Sequence, residues 1–179
     1  MVEEYLKIVD DKNIPTGKDV QRSVAHQTGL RHRVVYIYFF RRVGNTLESL
    51  VNLRSATKDT HPNMYAPWLG GHVRSGKSEE ETAEEELKEE VGLSIDTRDL
   101  IDGGWRKKED PPLNKEFIKI YYYEFTGNID TLVFRDKEVQ SVKWMNVPDI
   151  ENAMRKNPKQ WVDSLDDFKM TLTALKSVF

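Results

Sequence analysis

The chain has 179 residues, of which 38% are hydrophobic, and this is enough apolar material for one globular domain with a sizeable core. Its net charge of −3 gives no overall basic field, which argues against a nucleic-acid-binding protein. The absence of cysteine excludes disulfides, thiolate metal sites and cysteine nucleophiles, and it fits a reducing, cytoplasmic location. We therefore expect a cytoplasmic protein in which residues 1–179 form a single domain.

The sequence predicts neither a membrane-spanning segment nor a signal peptide. No apolar run approaches the roughly 20 residues that span a bilayer. The first residues, Met1 to Tyr5, lack the basic and apolar regions of a signal peptide. We expect no membrane partner, and the sequence leaves the oligomeric state open.

The first predicted elements are short. Leu6 to Val9 alternates as a strand does, and Ile14 to Gly17 leads into a second extended piece. The segment from Asp19 to Thr28 is predicted as a loop or a short helix that Gly29 ends. Arg33 to Arg41 is rich in β-branched and aromatic residues and predicts a buried central strand. After a turn, Leu47 to Leu53 is predicted to return as its hairpin partner.

A polar loop is predicted from Arg54 to Pro67. It contains Arg54, whose guanidinium offers a bidentate fork for phosphate oxygens, and Lys58, which offers a point charge. Two interpretations are equally open for each residue: a contact to a substrate phosphate, or a solvated position on the surface.

A glycine-rich loop from Gly70 to Lys77 and a helix after it form the most informative stretch. Ser78 with Glu81 three residues later is a capping box, and Gly92 predicts the end of the helix. Apolar residues recur every four positions, so one edge of this helix is predicted to pack on a sheet. They are Ala83, Leu87 and Val91.

The other edge of this helix is acidic. Glu86, Glu89 and Glu90 have i, i+3 and i+4 spacing, so their carboxylates converge on one face. Like charges at that spacing destabilise a helix by about 0.2–0.5 kcal/mol per pair. The face is either simply solvated or relieved by a hard divalent cation, since Mg²⁺ takes carboxylate oxygens as ligands.

Further strands and helices follow this stretch. The pattern predicts strands at Leu100–Lys107, Phe117–Phe125 and Val139–Val147, with a turn between Glu109 and Asn114. A short helix is predicted at Ile150–Met154 and a closing helix at Trp161–Val178. Strands and helices mixed in this way favour an α+β or α/β sandwich.

The stretch from residue 71 to residue 93 resembles the Nudix box, the loop–helix signature of enzymes that cleave a diphosphate linked to another group. The matching positions are Gly71, Glu86, Leu87, Glu89, Glu90, Gly92 and Leu93. Two positions depart from the pattern, because Lys77 stands where the family has Glu and Glu85 stands where it has Arg.

The resemblance implies an α/β/α sandwich with a mixed sheet between helices and a core at about residues 31–170. It implies hydrolysis of a small-molecule diphosphate, with nucleoside diphosphate derivatives as one substrate class, assisted by Mg²⁺ or Mn²⁺. Glu86, Glu89 and Glu90 are then the catalytic and metal-binding candidates, and the Gly71 carbonyl is a further ligand. The alternative is a non-catalytic module that binds a diphosphate and has lost turnover through Lys77 and Glu85.

Within the superfamily, the chain resembles the branch of isopentenyl diphosphate isomerase. There, basic residues of the loop before the box lie near the substrate diphosphate, which implicates Arg54 and Lys58. Histidines and a glutamate on a later strand hold a metal, and the possible counterparts are His26, His32, His72 and Glu116. The position of the isomerase's catalytic cysteine is Gly70, so isomerase activity is not expected.

At the two positions that depart from the family pattern, the signs of the charges are swapped. In the family, the box Glu and Arg pair and brace the catalytic helix. Because Lys77 and Glu85 reverse both signs together, the sequence predicts a brace of swapped polarity.

Overall fold

The computed structural model describes residues 4–58, 60–110, 114–134 and 138–178. Its strands are β1 (Tyr5–Val9), β2 (Pro15–Gln21), β3 (His32–Val43), β4 (Thr46–Arg54), β5 (Tyr65–Ala66), β6 (Ile101–Asp110), β7 (Asn114–Glu124) and β8 (Val139–Asn146). Its helices are α1 (Arg22–Thr28), α2 (Glu79–Val91), α3 (Val147–Lys156) and α4 (Leu165–Val178).

Strand β3 lies at the centre of a mixed sheet. It runs parallel to β7, with His32 opposite Glu116 at one end and Phe40 opposite Glu124 at the other. It also forms the predicted antiparallel hairpin with β4, and β4 in turn pairs with β5 and β8. Strand β6 pairs with β7, and β1 meets β3 where Ile8 faces His32.

Alternate residues of β3 enter opposite faces of the sheet. Val35, Ile37 and Phe39 pack against the apolar edge of α2, and the residues between them pack against α3 and α4. A strand that is buried on both faces reads as a continuous apolar run, which is what its sequence shows. The predicted sandwich, a mixed sheet between helices, is confirmed.

Several boundaries differ from prediction. The closing helix begins at Leu165 and not at Trp161, because the Ser164 hydroxyl accepts the backbone N–H of Asp167 at 3.1 Å and so caps the helix there. Trp161 instead forms a bridge with Tyr65. The segment from residue 19 to residue 28 divides between β2 and α1.

Other boundaries move by a few residues. Helix α3 is longer than predicted and takes over the last residue assigned to β8, Val147. Strands β6 and β7 extend into the predicted turn, whose central residues 111–113 lie outside the described part of the chain, as does Asp59 of the polar loop. Within the described residues, no helix has the length and apolarity needed to cross a membrane.

Helix α2 begins after Ser78 and ends before Gly92, as the sequence predicts. The Ser78 hydroxyl accepts the Glu81 N–H, the Glu81 carboxylate accepts the Ser78 N–H, and Gly92 adopts the left-handed conformation. The preceding loop is tied to β1, because the Ser75 N–H donates to the Tyr5 carbonyl at 2.8 Å. These contacts fix where the acidic edge of α2 faces.

Candidate active site

A cavity of about 610 Å³ opens between α1, α2, the polar loop and the glycine-rich loop of residues 70–77, which we call the box loop. It brings together most of the residues that the sequence singles out, although they come from five separate segments of the chain. The predicted residues that line it are His26, Arg54, Lys58, Gly71, His72, Glu86, Glu89 and Glu116.

The three box carboxylates lie in different environments, and Glu86 and Glu89 line the cavity. Glu89 is exposed and pairs with the Arg74 guanidinium at 3.4 Å. Glu90 is only 3% exposed, and its Oε2 accepts the Gly70 N–H at 2.9 Å.

Glu86 precedes these two carboxylates by one turn of α2. Burial, together with the charges of Glu90 and Glu89, raises the pKa of Glu86 to about 8. The carboxyl is therefore mostly protonated at pH 7. A divalent cation would replace that proton, because metal ligands must be deprotonated.

Gly71 packs directly against Glu86. A Cβ at residue 71 would lie 2.5 Å from Glu86 Oε1, so only glycine leaves room for the carboxylate in this position. The Gly71 carbonyl accepts the Val35 N–H at 2.9 Å, which leaves one lone pair for the ligand role that the resemblance implies.

Three histidines from α1, β3 and the box loop form a compact cluster. The ligand atoms of His26, His32 and His72 all lie within 4.8 Å of one another, the one such group among the described residues. The Nε2 atoms of His26 and His32 are 3.3 Å apart, and Glu116 Oε1 lies 3.9 Å from His32 Nε2. The box carboxylates do not meet this spacing.

The histidine rings have the form that binds metals. Burial lowers the pKa of His32 and lowers that of His72 further, so both are neutral at pH 7. The Leu30 carbonyl lies 2.9 Å from His32 Nδ1, which assigns the proton to Nδ1 and leaves a lone pair on Nε2, the atom that contacts His26. His72 Nε2 is buried without a hydrogen-bond partner among the described residues. The cluster fits a transition-metal ion.

The predicted basic residues face the same cavity. Arg54 is 8% exposed, donates to the Thr60 carbonyl at 3.0 Å, and keeps its Nε buried without a hydrogen bond among the described residues. Lys58 forms an ion pair with Glu138 and lies 3.9 Å from Glu90 Oε1. Both cations are therefore within the cavity that the carboxylates border.

The two departures from the box pattern contact each other. Lys77 Nζ donates to Glu85 Oε1 at 2.6 Å, and this bond, followed by the charge of Glu85, raises the pKa of the Lys77 ammonium. The pair links the loop to α2 one residue before Glu86. The swapped polarity thus preserves a contact at this place, and its effect on catalysis stays a prediction.

We expect Lys77→Glu and Glu85→Arg each to lower turnover by about 10- to 100-fold, because small misplacements of catalytic groups are costly. The double variant should recover most of the rate, since it restores a pair of opposite charges. A double-mutant cycle on kcat/KM measures this coupling, with melting curves to show that each variant folds. Additive losses would refute the brace and favour a non-catalytic module.

The sequence did not single out several other residues of this cavity, among them Glu4, Arg22, Arg74, Lys108 and Glu138. Four of them, Glu4, Arg22, Lys108 and Glu138, are charged residues in segments without a motif, and the fold brings them to the site. Arg74 lies in the glycine-rich loop two residues after His72, and this position was a local signal for it.

The fold and this loop–helix constellation define the class of protein. The NUDIX domain profile matches residues 22–165. The chain therefore belongs to the Nudix family.

Its relatives include hydrolases and isomerases. It is 32% identical to an uncharacterised Nudix hydrolase of Clostridium acetobutylicum, over 78% of this chain and 68% of that protein. It is 29% identical to isopentenyl-diphosphate Delta-isomerase 2 of Photorhabdus laumondii, over 82% of this chain and 79% of that protein. Several other relatives are longer, and the chain spans less than half of their length.

A solved structure from Deinococcus radiodurans has the same fold. It superposes with a TM-score of 0.65 at 22% identity and covers 86% of this chain and 90% of that one. The likeness supports the fold and not a substrate.

Proposed function

We propose that the chain is a Mg²⁺- or Mn²⁺-dependent hydrolase that cleaves the diphosphate linkage of a small molecule. The supporting observation is one cavity with Glu86 and Glu89 at one end and the cations Arg54 and Lys58 in the same space. Nucleoside diphosphate derivatives are the substrate class to test first. A cytoplasmic location and a single domain stay predictions from the sequence.

Each group has a role in this proposal. Glu86, Glu89 and Glu90 would hold the ion, and such an ion polarises a phosphoryl oxygen and activates a water. Arg54 and Lys58 bind the phosphate oxygens and offset their charge. The ion would displace the proton that the raised pKa of Glu86, about 8, retains on this carboxyl in the metal-free protein.

We further propose that His26, His32, His72 and Glu116 hold a second ion of the transition-metal type. Imidazole ligands suit Zn²⁺ and similar metals better than they suit Mg²⁺. The neutral rings, the buried free Nε2 of His72 and the nearby Glu116 carboxylate support this site.

We do not extend isomerase activity to this chain. Gly70, at the position of the isomerase's catalytic cysteine, has φ of +133°, and a Cβ there would lie 2.2 Å from the Val35 carbonyl oxygen. A thiol therefore fits neither the sequence nor the backbone at this point. The alternative of a non-catalytic diphosphate-binding module is an outcome of the experiment that follows.

Hydrolysis of a panel of diphosphate compounds, with and without Mg²⁺, tests the proposed activity. The panel should contain nucleoside diphosphates, nucleotide sugars, dinucleotides and isopentenyl diphosphate, and chromatography should follow both the phosphomonoester products and any inorganic phosphate. Metal-dependent cleavage of at least one compound is the expected result. Tight binding of a diphosphate without cleavage of any compound would favour the binding module.

Metal dependence should also be visible without substrate. At a concentration about 100-fold above its Kd, Mg²⁺ should stabilise the fold by about 2.7 kcal/mol, a rise in Tm of about 5–10 °C. Because the ion must displace the proton of Glu86, the rise should be larger at about pH 8.5 than at about pH 6.5.

Thermal melts with millimolar Mg²⁺ or Mn²⁺ at the two pH values measure this effect, and Ca²⁺ gives a useful comparison. A Tm that no metal changes at either pH would argue against a metal site in the free protein.

A further inference from the structure

We propose that Glu4, which lies just ahead of β1, is a positioning residue of the second proposed metal site. We call this site, formed by His26, His32, His72 and Glu116, the histidine centre. The Glu4 carboxylate accepts the Nδ1–H of His72 and fixes that ring with Nε2 turned toward His26 and His32. The inference rests on the proposed histidine centre, and it adds a residue outside the region of the chain that matches the family, residues 22–165.

The geometry around His72 supports this role. Glu4 Oε1 lies 3.9 Å from His72 Nδ1, about 1 Å longer than a direct hydrogen bond, so a small side-chain rotation or one bridging water completes the contact. The two ring nitrogens point to opposite sides. With Nδ1 facing Glu4, the nitrogen that remains is Nε2, which is buried without a hydrogen-bond partner among the described residues.

His32 provides an internal precedent for the same arrangement. Its Nδ1 lies 2.9 Å from the Leu30 carbonyl, which leaves Nε2 toward His26, 3.3 Å away. Histidines that bind metals usually donate their other N–H to a carboxylate or a carbonyl, and this fixes the tautomer and the ring orientation. Glu4 would do for His72 what the Leu30 carbonyl does for His32.

Glu4 is itself held in place on both sides. Its carboxylate lies 3.6 Å from Arg22 Nε on α1 and 4.0 Å from Arg74 Nε on the box loop. Its backbone carbonyl accepts the Arg22 N–H at 2.8 Å. Its side chain is one-quarter exposed and lines the cavity, so it is held by these contacts and is not part of the buried core.

The first measurement needs no metal. Long-range ¹H–¹⁵N spectra of the histidine rings distinguish the two neutral tautomers, and His72→Gln assigns the His72 signals. We expect the Nδ1–H tautomer for His72 in the wild-type protein, a shift toward Nε2–H in Glu4→Ala, and retention in Glu4→Gln, whose amide oxygen still accepts the bond. A His72 tautomer that Glu4→Ala leaves unchanged overturns the proposal.

The second measurement uses Co²⁺ as the probe, with excess Mg²⁺ to occupy the box carboxylates. Visible absorption reports binding to the histidines, and Glu4→Ala should weaken it by about 10- to 100-fold, the usual effect of losing such a contact. Asp19→Ala, which removes an exposed carboxylate from the neighbouring β2, should leave it unchanged. Melting curves of all variants show whether β1 remains folded.

The outcomes separate the two hypotheses. Wild-type protein that binds Co²⁺ no better than His32→Ala overturns the histidine centre, and with it this role of Glu4. Tight wild-type binding that Glu4→Ala leaves unchanged overturns the role of Glu4 alone.

Discussion

Glu90→Gln should leave the protein folded and lower its Mg²⁺-dependent turnover by about 10²- to 10³-fold, since metal assistance contributes several kcal/mol to such reactions. Glutamine keeps the shape of the side chain, and its amide oxygen can still accept the Gly70 N–H that Glu90 Oε2 now binds at 2.9 Å. What it removes is the negative charge that holds a hard cation.

The same substitution should change the pH dependence of metal binding. The charge of Glu90 is the largest electrostatic contribution after burial to the raised pKa of Glu86. Without that charge the pKa of Glu86 falls, so the gain in Mg²⁺ affinity on raising the pH should occur at lower pH. Calorimetric titrations at several pH values measure this shift.

A matched control is available on the same helix. Glu84 is an exposed carboxylate of α2, and Glu84→Gln changes the net charge by the same amount. It should keep the wild-type rate and metal affinity. If Glu90→Gln also kept the wild-type rate at limiting Mg²⁺, the acidic edge of α2 would be only a solvated face.

Gly71→Ala should lower turnover and Gly70→Ala should lower stability, although the two glycines are adjacent. The Cβ at residue 71 would meet the Glu86 carboxylate, the mobile end of a side chain, so the fold should survive while the carboxylate is displaced. We expect a loss of turnover of about 10²-fold, because a displacement of about 1 Å at a catalytic group has effects of that size.

At residue 70, a new Cβ would clash with backbone atoms and not with a movable side chain. The Cβ would lie 2.2 Å from the Val35 carbonyl oxygen of the central strand, and φ of +133° is unfavourable for a side chain. We expect a loss of at least about 2 kcal/mol of stability, which lowers Tm by about 4–8 °C in a chain of this size.

Steady-state kinetics and thermal melts of both variants test this contrast. A Gly71→Ala protein with the wild-type rate would show that Glu86 need not occupy the observed position. A Gly70→Ala protein with wild-type Tm would contradict the clash with β3.

The sequence alone determined the secondary-structure elements that depend only on residues close together in the chain. The capping box of Ser78 and Glu81, the stop at Gly92 and the buried run of β3 depend on neighbouring residues, so they could be predicted. The box carboxylates could be predicted as a set because i, i+3 and i+4 spacing places them on one helical face whatever surrounds the helix.

The tertiary structure decided what depends on residues far apart in the sequence. The parallel pairing of β3 with β7 places Glu116 opposite His32, and no local pattern encodes that register. The bridge between Val34 of β3 and His72, together with the packing of α1, gathers the three histidines. The raised pKa of Glu86 likewise needs burial as well as two like charges, and burial follows from packing.

Glu4 is a residue whose proposed role could be inferred only from the tertiary structure. In the sequence it is one more acidic residue near the start of a chain that has many, with no motif around it. Its place beside His72 arises because Tyr5 and Leu6 of β1 pair with residues of the box loop and carry Glu4 to the cavity. Sequence determines which groups are available, and only the fold determines which of them meet, because the energy of a contact depends on distance in space.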